Sequence, residues 1–213
     1  SGCPPLLGIH ALRGDQNERN CNQFNKRLYE YVKNNHIKEI ILVGRWSYYT
    51  DGGYGGDDFS YIGLNRLDRK NKEVSRKAFV AGVEQTAYEY NKIGVKVYVI
   101  EQVPQQKKDP QYVYYMAYSY DKLDKYNSIL NMSVKTEEHR KLNEFAADVF
   151  EHDKNINFIK VESMLCDFKH CSIGSLTQSY YFDDDHLSTI GANKLLPVIE
   201  KLLSEFHKTN AGA

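Results

Sequence analysis

Apolar residues recur along this chain in two alternating rhythms. Phe24, Leu28, Tyr31 and Val32 fall at the three- and four-residue spacing of one helix face, which predicts a helix over 21–36. The β-branched and leucine-rich stretch 37–44 then reads as a buried strand. A second helix is predicted over 74–90, ended by Gly94, with a second buried strand over 95–100. Leu142, Phe145, Ala146, Val149 and Phe150 mark a third helix, and 156–161 a third strand. The last helix is predicted to start after Ser188 as its N-cap and to run through Leu195, Ile199, Leu202 and Phe206, kinked at Pro197. Two stretches lack a period: 46–63 is rich in Gly and Tyr and predicts turns, and 102–134 is an excursion broken by Pro104 and Pro110.

Strands separated by helices imply a parallel sheet with helices on both faces, in which chemistry gathers at the carboxyl ends of the strands. That rim holds Gly44-Arg45-Trp46-Ser47, then Glu101 to Pro104, then Glu162-Ser163. The 213 residues fit one large domain, with no linker and no repeat to favour two.

Composition narrows the classes. With 28 basic and 28 acidic residues the formal charge is zero, so the basic excess expected of a nucleic-acid binder is missing. No apolar run approaches the roughly 20 residues that span a bilayer. Tyrosine is the outlier at 17 copies, clustered at 48–61, 112–120 and 180–181. Its rings stack on sugars and its hydroxyls bond them, although half-buried packing explains tyrosines equally well. The four cysteines form two local sets, Cys3 with Cys21 and Cys166 with Cys171. Three pairings are possible, and the local one is the most economical because each set brackets a polar stretch. Zinc is the competing reading, yet no pair of ligands has zinc-like spacing. Disulfides imply an oxidising compartment outside the cytoplasm.

The most informative stretch is Phe182-Asp183-Asp184-Asp185-His186-Leu187-Ser188. A carboxylate three residues before a histidine can fold back onto one ring nitrogen and leave the other free to take a proton from a nucleophile. The bland alternative is a set of acidic caps before a helix, and Asp184 and Asp185 read as solvated or capping. A metal site is not expected, because three adjacent carboxylates in an extended chain do not converge on one ion. Arg45 and Trp46 are candidates for contact with substrate. The remaining histidines, His10, His36, His139, His152, His170 and His207, read as surface or helix-end residues.

Three stretches together resemble the SGNH (GDSL-like) esterase/acyltransferase domain, in the form fused to bacterial acyltransferase-3 membrane proteins. They are Cys3-Pro4-Pro5-Leu6-Leu7-Gly8 with Cys21 and Asn25, the strand end Leu42-Val43-Gly44-Arg45-Trp46-Ser47-Tyr48-Tyr49, and Tyr181 to Ala192 with its D-x-x-H-L-S-x-x-G-A pattern. The resemblance implies a three-layer α/β/α, flavodoxin-like fold over 1–213, with Asp183 and His186 as the catalytic pair. It implies acyl transfer, acetyl in the simplest case, to or from hydroxyls of a cell-surface carbohydrate, with no cofactor. It also implies a membrane acyltransferase domain as fused or associated partner, and a tethered position on the periplasmic side of a bacterial inner membrane.

Two features depart from that pattern. The family's nucleophilic serine lies in a Gly-Asp-Ser block upstream of Cys-Pro-Pro-Leu, so the first strand and its serine are expected outside this chain, leaving the fragment inactive alone. Gly14-Asp15-Gln16 has Gln where Ser is needed and reads as a polar turn. Where the family's oxyanion-hole asparagine should fall stands Arg45-Trp46-Ser47, which makes Arg45 and Trp46 candidates for that role as well. The alternative function is a noncatalytic module that binds glycan or presents an acyl group.

Overall fold

The structure, a computed structural model, describes residues 3–12, 20–56, 58–120 and 124–210, with 205–210 as backbone only. Along the chain run β1 (His10–Ala11), α1 (Cys21–Asn34), β2 (Glu39–Leu42), α2 (Ser47–Thr50), β3 (Ile62–Gly63), α3 (Lys72–Lys92) and β4 (Lys96–Ile100). They are followed by α4 (Pro110–Ser119), α5 (Lys125–Met132), β5 (Val134–Lys135), α6 (Thr136–His152) and β6 (Ile156–Ile159). The chain ends with α7 (Glu162–Leu165), β7 (His170–Cys171), α8 (Thr189–Asn193) and α9 (Leu196–Asn210). Two compact units result, Ser1–Gln102 with Leu142–Ile159, and Val103–Lys141 with Lys160–Ala213.

The first unit holds the parallel sheet, ordered β2-β4-β6. Its register sets Ile40 beside Val97 and Ile156, and Leu42 beside Val99 and Phe158. Because side chains alternate across a strand, these two rows share one face. That face joins a core with Phe79 and Val83 of α3 and Ala146 and Phe150 of α6. Central β4 is buried on both faces from Val97 to Ile100, as expected of a strand with neighbours on both sides. Phe150 stacks on Phe158 and meets Trp46 edge-on, with ring centroids 5.7 and 4.9 Å apart.

Helix α3 buries Ser75, Ala78, Phe79, Gly82, Val83, Thr86, Ala87 and Tyr90, a regular three-and-four spacing. The small members of that stripe receive the backbone of residues 6–9. Thr86 Oγ1 accepts the Leu7 N–H at 2.8 Å, and a Cβ on Gly82 would come within 2.8 Å of Ile9 Cγ2.

Helix α1 differs from its sequence pattern. Phe24, Leu28 and Tyr31 are exposed, and the buried face is Cys21, Asn25 and Val32. Asn25 causes the rotation: its amide donates to the carbonyls of Pro4 (2.7 Å) and Leu6 (2.8 Å), bonds that need it inside. Cys21, joined to Cys3 by a disulfide, lies on the same side.

In the second unit the excursion after β4 is largely helical. Asp109 caps α4 by accepting from Gln111 N–H at 2.7 Å, and Pro110 occupies the first turn, where its missing N–H costs nothing. Val113 and Ala117 of α4 and Ile129 of α5 pack with Ile173 and Tyr181. β5 and β7 pair antiparallel, with Val134 opposite Cys171, and Cys171 is disulfide-bonded to Cys166. The predicted last helix is two helices rather than one kinked helix. In a continuous helix the Pro197 ring would strike the carbonyl four residues back, so the chain tightens after Gly191 and restarts at Leu196, with Pro197 in the new first turn.

Candidate active site

The stretch from Tyr180 to Gly191 is a folded loop in which almost every motif residue has a local role. Tyr181 and Leu187 form an isolated antiparallel bridge, and Phe182 N–H donates to the His186 carbonyl at 2.7 Å, closing a tight turn between them. Inside it, Asp183 Oδ1 accepts the backbone N–H groups of Asp185 (3.0 Å) and His186 (2.7 Å), the Asx arrangement open to a short carboxylate. The same carboxylate lies 3.0 and 2.9 Å from His186 Nδ1 through its two oxygens. Ser188 then caps α8, accepting Gly191 N–H at 3.2 Å and donating to Ser179 O at 2.8 Å. Gly191 is glycine because a Cβ there would sit 2.0 Å from Tyr180 O.

Electrostatics fix the histidine's tautomer. Among the described residues, Nδ1 faces carboxylate oxygens, from Asp183 and, at 2.8 Å, from Asp185. A nitrogen among acceptors carries the proton, so in the neutral ring Nε2 is the acceptor. Burial alone would raise the Asp183 carboxyl. The N–H groups of His186 and Asp185 and the imidazole outweigh it and hold the group below the usual carboxylate range. Asp183 is therefore ionised at neutral pH, and the exposed His186 ring is held with Nε2 presented as an acceptor.

Asp183, Asp185 and His186 also place donor atoms within 4.8 Å of one another, the donor types of a divalent-cation site. The chain is bent here, not extended as the sequence reading assumed, so two carboxylates do reach one imidazole. The Nδ1–oxygen separations of 2.8–3.0 Å are hydrogen-bond lengths, and Asp184 turns elsewhere, accepting from Gln105 Nε2 at 3.0 Å.

Comparison with known proteins gives this loop a context. A family model described as an SGNH domain fused to AT3 domains matches residues 1–201. The chain belongs to this SGNH family. Among solved structures, it is similar to the periplasmic domain of a lipopolysaccharide acetyltransferase from Salmonella ser. Paratyphi A. The two share 15% identity and a TM-score of 0.61, over 95% of this chain and 69% of that one. A candidate platelet activating factor from Streptococcus pneumonia matches at 13% identity and a TM-score of 0.42, over 84% of this chain and 90% of that one. No curated protein matches by sequence. The α/β fold with a parallel sheet is thus an SGNH fold, and its two disulfides fit an extracytoplasmic compartment. No helix among the described residues is long and apolar enough to cross a membrane.

Other residues of this SGNH chain singled out by sequence lie as follows. Trp46 is 1% exposed and donates its indole N–H to Ile100 O at 2.9 Å, while Arg45 pairs with Asp58 at 2.7 Å and lies over the Tyr48 ring. Ser47 is fully buried against Gln102: its N–H reaches Oε1 at 2.7 Å, and its Oγ accepts from Nε2 at 3.0 Å. Gly14-Asp15-Gln16 lies outside the described residues. Glu162 is held by Arg140 through two bonds of 2.8 and 2.6 Å. His139 is not a surface residue; it is 1% exposed, and burial pushes its imidazole down to about 4. Sequence reasoning also passed over Gln105 and Gln106, whose one signal is their place just beyond the carboxyl end of β4.

Proposed function

We propose that this chain carries the base of an SGNH-type O-acyltransferase or esterase acting on hydroxyls of a cell-surface carbohydrate. The observation that carries this reading is the exposed His186 ring, its Nδ1 held by the ionised Asp183. A serine hydroxyl attacks the acyl carbonyl while Nε2 of His186 takes its proton. The proton then passes to the departing oxygen of the acyl donor, leaving an acyl-serine. A sugar hydroxyl, or water in an esterase, next attacks this ester. His186 takes the proton of the attacking hydroxyl and returns it to the serine as the acyl group leaves. Asp183 stays ionised and stabilises the imidazolium at each stage.

The serine comes from a Gly-Asp-Ser strand that precedes these residues in a single SGNH domain. Support comes from β2, which among the described residues has a strand on one side only. Lys96 N–H donates to Lys38 O, so alternate residues Glu39, Ile41 and Val43 turn their backbone groups to the open edge. An open edge beside exposed Val43 is a ready seat for one more strand.

The carbohydrate assignment draws on the acetyltransferase neighbour and on the exposed tyrosines 112, 115, 118, 120 and 126. The Lys108 and Lys125 ammonium groups lie over the Tyr112 and Tyr118 rings. The family's AT3 fusions support a covalently attached membrane acyltransferase domain, and the periplasmic neighbour and two disulfides support a place for this chain on the periplasmic side of a bacterial inner membrane. No cofactor is called for.

The test uses a chain that includes the upstream strand and an activated acetyl ester as substrate. His186→Ala should lower turnover by about 10⁴-fold or more, with the melting temperature unchanged. The 213 residues alone should be inactive. A folded His186→Ala protein with near-normal activity refutes the assignment. Activity in the 213 residues alone, lost on substituting Ser163 or Ser47, would move the nucleophile into this chain.

A further inference from the structure

The loop that bears Asp183 and His186 is partly exposed and contains no regular element, yet a base must be held to within a fraction of an ångström of its working position. Two adjacent glutamines from a distant part of the sequence supply that restraint within the second unit. Gln106 N–H donates to the Asp184 carbonyl at 2.6 Å, and Gln105 Nε2 donates to Asp184 Oδ2 at 3.0 Å. Asp184, one of the two residues between the base and its orienter, is therefore gripped by both main chain and side chain. Gln106 is itself fixed: its Nε2 donates to Cys171 O at 2.9 Å, and its Oε1 accepts Val134 N–H at 3.0 Å. Those contacts anchor it to both strands of the β5–β7 pair, at a residue that is also a disulfide half-cystine. Both glutamines are buried, at 6% and 1% exposure, where an amide hydrogen bond exchanges little with water and resists displacement.

The geometry points to Gln105 and Gln106 as positioning residues for the His186 base, acting through Asp184 without touching the reacting atoms. The turn's own bonds, Phe182 to His186 and Asp183 to the two N–H groups, set the loop's shape. The glutamines fix the main chain at Asp184, between the two partners. Releasing the grip loosens the turn at that point, with Nδ1 of His186 exchanging carboxylate for water. A placement error of about 1 Å costs on the order of 10²-fold in rate. This inference rests on the acyl-transfer reading of His186, so its test needs a readout independent of activity.

In the 213-residue chain, long-range ¹⁵N correlations of the imidazole at alkaline pH report which nitrogen of His186 bears the proton. The expected parent signature is a single Nδ1–H tautomer. Gln105→Leu removes the amide donor and Asp184→Ala removes its acceptor, and each should convert the signature to a tautomer mixture. Asp184→Asn keeps an acceptor oxygen and should restore the parent signature. Combining Gln105→Leu with Asp184→Ala should add little to either alone, because both break one contact. In the longer, active chain, kcat should fall by about 10- to 100-fold with KM nearly unchanged, the pattern of lost transition-state positioning.

A parent-like signature in both Gln105→Leu and Asp184→Ala overturns the proposal. Should Gln105→Leu fail to fold, Asp184→Ala, altered only at the loop, decides alone. If His186→Ala keeps full activity while the tautomer still follows Gln105, the acyl-transfer reading falls and the positioning role stands. If His186→Ala is inactive while the tautomer ignores Gln105, the reverse holds.

Discussion

Lowering the pH from neutral toward 4.5 should destabilise this protein through one buried histidine. His139 sits near the start of α6, 1% exposed, its imidazole pushed down to about 4. Burial is the main cause; the neighbouring Arg140 charge acts in the same direction, and Glu162 opposes both. The unfolded chain protonates this ring near 6.5, the folded one only near 4, so between these values the unfolded state holds more protons. Stability is therefore full above about 6.5 and falls as pH drops toward about 4, at up to about 1.4 kcal/mol per pH unit. The full loss is about 3 kcal/mol, a large share of a typical domain's stability. The depressed carboxyls, Asp183, Glu138, Glu162 and Asp167, are lost at lower pH, as their own protonation begins. His152, raised mainly by the Asp148 carbonyl, has the opposite sign and gains stability as pH falls. Urea midpoints should be followed from pH 7.5 to about 4.5 for the parent and His139→Gln, disulfides intact. The parent should lose stability more steeply than His139→Gln, whatever their offset at neutral pH. Parallel curves would refute the argument.

Two further outcomes test structural claims. Gly191→Ala should cost about 2 kcal/mol by overpacking, because the new methyl meets the Tyr180 carbonyl that also accepts Ser188 N–H; an unchanged thermal midpoint would show that Tyr180 yields freely. Removing the Cys3–Cys21 bridge should cost about 3 kcal/mol and removing Cys166–Cys171 about 2 kcal/mol, from their loop lengths, with only the second lowering kcat, since Gln106 rests on the Cys171 carbonyl. Equal effects of the two on kcat, measured in the longer chain, would argue against that linkage.

What could be read from the chain followed how local each interaction is. Strand β4 announced itself because a strand buried on both faces is apolar on both; β2 and β6 are only partly buried, and their isoleucines, Leu42 and Phe158 marked them. The Asp183–His186 pair was legible because both partners lie within one turn of chain. Helix α1 was misread because its inward face is set by Asn25, whose partners Pro4 and Leu6 lie some twenty residues away and leave no trace in hydrophobic spacing. His139 does lie near a helix end, as read, but its burial was missed for a similar reason: the first turn of α6 is polar, so nothing in the pattern marks that turn as buried. Gln105 and Asp184 are 79 residues apart, and an amide–carboxylate contact at that distance has no sequence signature. The long excursion turned out helical because caps at Asp109 and Asp124 start α4 and α5 where periodicity is weak.

The closure of the turn at Phe182 and His186 bears on which changes of length the chain can tolerate. One inserted residue between Asp183 and His186 would move the His186 N–H and its ring off the carboxylate, and a deletion would do the same. The three-residue interval is in effect a ruler. The Phe182 side chain, by contrast, is 78% exposed and takes no part in that closure, which runs through the backbone. Sequences sharing this turn should therefore vary at the position of Phe182 while admitting no gap across the four positions that follow it.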